Sequence, residues 1–139
     1  MRKLIPLSAV LALALLASAP FPAAAADERC QVPEAGRWIN RNADYQEIRI
    51  LEIESHCRGK QIVMRMRAFT RCSPRDCKWG WTDAWRNASG RVEASFPGLF
   101  GAREIQVITM EKRIEALVTY RPHDRSNAAE FHAAIMVRD

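Results

Sequence analysis

Apolar and polar residues alternate along most of this chain in short runs, and each run closes on a turn signal. That is the rhythm of strands. Across residues 60–69, Ile62, Met64, Met66 and Ala68 fall on one face, with Arg65 and Arg67 on the other. Across 113–120, Ile114, Ala116, Val118 and Tyr120 share a face against Glu115 and Thr119. The last run places Phe131, Ala133, Ile135 and Val137 together. One run breaks step: Ile48 and Ile50 lie on one face while Leu51 and Ile53 lie on the other, which predicts a bulge near Ile50.

The turn signals between the runs are Arg58 with Gly59, NASG at 87–90, PGLFG at 97–101 and PHDRSN at 122–127. Asn87, Ala88 and Ser89 match a glycosylation sequon but read here as a hairpin turn. About eight strands follow, near 36–40, 46–54, 60–69, 78–86, 90–96, 103–111, 113–120 and 129–138. Short successive connections favour an all-β, small antiparallel meander barrel, because closure removes the exposed edges of an open sheet. A β-sandwich is the second choice. Residues 128–134, AAEFHAA, suit a helix better than a strand by composition.

Residues 1–26 read as a signal peptide: Arg2 and Lys3 form the positive head, an apolar run follows, and Ala24, Ala25 and Ala26 close it. Pro6, Pro20 and Pro22, and the lack of a basic stop-transfer cluster, argue against a membrane anchor. Cys30 follows Asp27, Glu28 and Arg29, which is not a lipoprotein signal, so the chain is expected to be soluble and periplasmic or secreted after cleavage. The remaining 113 of 139 residues, 27–139, make a single domain. The segment removes two of 21 basic residues and none of 16 acidic ones, leaving a formal charge of +3. Scattered basic residues and export both argue against a nucleic-acid partner.

Cys30, Cys57, Cys72 and Cys77 form an even set in an exported chain, which points to two disulfides with three possible pairings. Pro74 and Asp76 pre-shape a turn that favours Cys72 with Cys77, leaving Cys30 with Cys57. Arg71, Arg75 and Lys78 would lower a thiol pKa, but the CSPRDC spacing lacks the CxxC of a disulfide exchanger. Paired zinc knuckles are missing too, so neither a metal nor a cofactor is expected.

Two sequence pieces resemble known groups. GRWIN at 36–40 resembles the GxW signature of the calycins (lipocalins, fatty-acid-binding proteins and avidins), all of them meander barrels. The resemblance implies that Trp38 closes one end of the barrel under a basic residue, Arg138 or else Arg121. GRWIN, the IRILEI run at 48–53 and CSPRDCKWG at 72–80 together resemble small exported bacterial domains of pattern GxWxN and CxPxDCxWG, over about half of the mature chain. That group implies no activity.

Candidate chemistry is sparse. Trp79, Trp81 and Trp85 share strand parity with Asp83, and together with Met64 they are the candidates for lining a lumen or groove. The plainer expectation is that they fill the barrel. His123, Asp124, Glu130 and His132 are the sequence-neighbouring set that an acid/base or metal site would draw on, and no HExxH or GxSxG accompanies them. The sequence therefore points first to a non-enzymatic exported binding module for a small apolar ligand or an envelope protein. A small hydrolase or metal-binding enzyme, and a structural accessory of an envelope complex, are the alternatives.

Overall fold

The computed structural model describes residues 28–139, so the segment expected to be a signal peptide, 1–26, and Asp27 lie outside the described residues. A single 3₁₀ turn, Glu28–Cys30, precedes nine strands: β1 (Gly36–Ile39), β2 (Ile48–Arg58), β3 (Gln61–Thr70), β4 (Cys77–Lys78), β5 (Thr82–Arg86), β6 (Val92–Pro97), β7 (Gly101–Met110), β8 (Arg113–Pro122) and β9 (Glu130–Arg138). All pairings are antiparallel, and β1 joins both β2 and β9. With β2 on β3 and β3 on β5, eight strands close into a barrel, and the two-residue β4 pairs with the end of β3 along the same edge as β5. Closure leaves no open edge along the barrel wall.

The interior is filled by alternate residues of every long strand, among them Leu51, Ile53, Met66, Ile105, Val107, Ile114 and Met136, all fully buried. The expected bulge in β2 is present: Ile48 lies opposite Thr70 and Ile50 opposite Phe69, so Arg49 is the extra residue. This shift brings Ile48 inward beside Leu51 and Ile53, and it turns Arg49 out to reach Asp76 at 2.9 Å.

Two expectations are corrected. The segment proposed as helical enters β9, whose residues Glu130 to Val137 pair with Tyr120 to Arg113 of β8. Helix preference amounts to only a few tenths of a kcal/mol per residue, and a strand that closes a barrel satisfies two rows of backbone groups at once. Within β9 the inward residues are Ala134 and Met136, whereas Phe131, Ile135 and Val137 are exposed. Alternation picks the wrong face here, because Phe131, Ala133, Ile135 and Val137 are more apolar than Glu130, His132, Ala134, Met136 and Arg138; the register Ala134 to Ala116 and Met136 to Ile114 turns Ala134 and Met136 inward.

The two ends differ. Short turns at Gly59, Gly90 and Glu111, all at positive φ, share one end with the N-terminal segment. That segment caps the barrel. Val32 packs against the core and its amide donates to Ser55 Oγ at 3.2 Å, while Cys30 is bonded to Cys57 across a Cα separation of 5.4 Å. Trp38 is 1% exposed and donates from Nε1 to the Glu34 carbonyl at 2.8 Å. Over its ring lies the Arg138 guanidinium, 4.3 Å from the centroid, donating in turn to the carbonyls of Ala35 and Pro33. Gly36 sits at φ 138°, and a Cβ there would run into that guanidinium. The glycine and tryptophan of GRWIN therefore serve one piece of geometry.

The other four connections, 40–47, 71–81, 98–100 and 123–129, crowd the opposite end. We call it the mouth.

Candidate functional site

The proposed aromatic face of 78–86 does not form as a unit, because the strand is interrupted. β4 ends at Lys78 and β5 begins at Thr82, and the intervening Trp79, Gly80 and Trp81 step out of the ladder. Parity resets across the break. Trp79 turns inward, its amide donating to the Ala68 carbonyl at 2.9 Å and its ring meeting Phe96 edge-on at 5.3 Å. Trp81 lies outward, stacked 4.5 Å from both Arg65 and Arg67. Asp83 and Trp85 are exposed on the outer wall, with Asp83 opposite Arg65 in the register. Met64 is a core residue opposite Ala84, toward the capped end, and not part of the mouth.

The outer wall near Trp81 is a charge ladder. Arg37 pairs with Asp139 at 2.8 Å and with Glu52, which also pairs with Arg67, and Arg65 pairs with Glu54 at 2.6 Å. Burial pushes the Glu52 carboxyl up, but hydrogen bonds from Arg67 and Arg37 outweigh it and hold the group below its ordinary range.

Two recesses open at the mouth on either side of Trp79. One, of about 400 Å³, is bounded by Trp79, Trp81, Phe96, Pro97 and Arg103. The other, of about 500 Å³, is bounded by Tyr45, Glu47, Trp79, Arg103, Tyr120, Glu130, Phe131 and His132. Arg103 belongs to both, its guanidinium 5.2 Å from the ring of Trp79 and 5.2 Å from that of Tyr120. Being held against two aromatic faces orients the cation without neutralising it.

Sequence reasoning missed Arg103, although a signal was present. It shares parity with the buried Ile105 and Val107, so a cation stands on the inward face of β7 where the strand meets the mouth. His132 is the same kind of exception on β9, in step with Ala134 and Met136. Its Nε2 is buried without a hydrogen-bond partner.

The residues considered for catalysis do not converge. His123 Nε2 lies 3.0 Å from the Gly98 carbonyl, and Asp124 accepts from the Ser126 amide and hydroxyl within its own turn. Those bonds, the backbone one first, hold the Asp124 carboxyl below its ordinary range. His132 and Glu130 line the second recess, while Glu130 also shares a third with Asp124, beside Phe100 and Tyr120, without either histidine. Among the described residues no three His, Cys, Asp or Glu side chains gather as a metal site would need.

The CSPRDC loop forms one wall of the mouth. Cys72 and Cys77 are bonded across a Cα separation of 5.5 Å, and Asp76 ties the loop to the bulge through Arg49. Because the bridge closes a short loop, replacing both cysteines by serine is expected to cost roughly 2 kcal/mol in urea unfolding. Trp79 follows the bridge directly, so its emission should shift to the red in the folded variant. Unchanged emission would show that the bridge does not position Trp79.

Comparison with family models, with curated proteins and with solved structures finds no match to the chain.

Proposed function

We propose that this protein is an exported, non-enzymatic binding module that engages a protein partner through the mouth of a calycin-like barrel. One observation carries the reading: large apolar side chains stand exposed on the connections and at the strand end around the mouth, with Leu99 at 84%, Phe100 at 76%, Tyr45 at 67% and Phe131, at the start of β9, at 65%. Exposed apolar side chains clustered at one end of a small domain mark interaction surfaces. The filled interior below Trp79 favours the rim over a ligand sunk deep in the lumen. Two disulfides are compatible with a periplasmic or extracellular location, and the signal-like residues 1–26 support export. The Trp38 and Arg138 stack supports the calycin-like assignment.

The test is affinity capture from envelope extract with three baits: the native protein, a Leu99→Asp/Phe100→Asp variant, and an Arg58→Glu control at the capped end. A partner retained by the native and control baits but lost by the rim variant is the expected result. Retention by all three, or native mass spectrometry showing a bound small molecule and no protein, would refute the rim reading.

A further inference from the structure

We infer that the recess bounded by Trp79, Trp81, Phe96, Pro97 and Arg103 receives an acidic side chain of the partner, flanked in its sequence by apolar residues. This rests on the reading of the mouth as a protein-docking surface.

Arg103 is the recess's one charged residue and makes no hydrogen bond or ion pair among the described residues. It differs in this from Arg37, Arg49, Arg65, Arg67, Arg86 and Arg121, each of which has a carboxylate partner. Its aromatic neighbours fix the guanidinium plane and leave N–H groups for a planar, bidentate acceptor. Behind the far wall, Arg65 and Arg67 stack on Trp81 but are neutralised by Glu54 and Glu52, which leaves Arg103 as the charge that faces the recess.

The neighbouring recess is different, because Glu47 and Glu130 line it and would repel an anion there. Position thus selects the first recess, and charge selects a monoanion, since a dianionic phosphate would meet one free cation and two nearby carboxylates. Phe96, Pro97 and the two indoles supply an apolar surround that suits a carboxylate carried between hydrocarbon side chains. A volume of about 400 Å³ accommodates a side chain or two, not a folded element.

The probes are two capped peptides, acetyl-Gly-Leu-Glu-Leu-Gly-amide and its Glu→Gln counterpart, titrated into the ¹⁵N-labelled, disulfide-bonded protein. The glutamate peptide should shift the Trp79 and Trp81 indole resonances saturably. The glutamine peptide should bind about tenfold more weakly, the difference between a charge-assisted and a neutral hydrogen bond. Arg103→Gln should erase that discrimination while leaving the rest of the spectrum native. Equal binding of the two peptides, or no saturable shift at the indoles, would overturn the inference, and the peptide pair decides this on the native protein whether or not Arg103→Gln folds. The two proposals fail separately: a partner captured by Arg103→Gln but lost with Leu99→Asp/Phe100→Asp removes the carboxylate and keeps the rim.

Discussion

Trp38→Ala should cost about 4 kcal/mol in urea unfolding, the largest loss expected from a single side chain in this domain. The ring is 1% exposed, so truncation empties an indole-sized volume at the point where β1 joins β2 to β9. It also leaves the Glu34 carbonyl without the indole N–H and removes the surface over which Arg138 is held. The residues of the N-terminal cap would then depend on the Cys30 to Cys57 bridge, the Val32 to Ser55 bond and Glu34. Trp38→Phe separates these effects: it keeps most of the apolar volume and a face for Arg138 but not the donor, and should cost about 1 to 2 kcal/mol. A loss below about 1 kcal/mol for Trp38→Ala would mean that the tryptophan is a bystander to closure.

Much of this architecture was legible because strands announce themselves by alternation and turns by Gly, Pro and Asn. Met64, Met66 and Ala68, and likewise Ile114, Ala116 and Val118, point where parity put them, and the broken parity around Ile50 located the bulge at Arg49. The disulfides followed from the even cysteine count and the short turn at Pro74. Parity failed where its premise failed. In β9 the more apolar set, Phe131, Ala133, Ile135 and Val137, is the outward one, and it is the hydrogen-bond register with β8 that turns Ala134 and Met136 inward. Between Lys78 and Thr82 the chain leaves the sheet for three residues, so Trp79 and Trp81 part company, a step that nothing in the local composition marks except Gly80. The candidate site was hidden for a related reason. Histidines and acids gather in the sequence at 123–132, whereas the informative residue is a lone arginine on an inward face. Arg103 is conspicuous only once Ile105 and Val107 are known to point into the barrel.

Arg86→Ala should destabilise the protein by about 3 kcal/mol at neutral pH, and the loss should shrink on acidification. Glu34 is buried in the cap, and Arg86 grips its carboxylate with two bonds, of 3.1 and 2.9 Å, from the end of β5. Burial pushes the Glu34 carboxyl up, but hydrogen bonds from Arg86, from its own backbone and from Thr109, together with the charge of Arg86, hold it below the ordinary value of 4.5. A depressed folded-state pKa means that the native pair contributes stability above about pH 4.5 and loses it as the pH falls through the lower folded value. Without the guanidinium the balance moves the other way. Burial remains as the largest influence, so the folded pKa rises and the ionised carboxylate loses its support at neutral pH, a loss that protonation relieves. The difference between native and variant should therefore be greatest near pH 7 and fall to about 1 kcal/mol near pH 4, when unfolding by urea is compared across that range. Adding Glu34→Gln to Arg86→Ala should recover most of the neutral-pH loss, since no buried charge is left to protonate. A loss for Arg86→Ala that stays constant from pH 4 to 7 would show that Arg86 acts through its contact with the Gly90 carbonyl at 2.6 Å and not through Glu34.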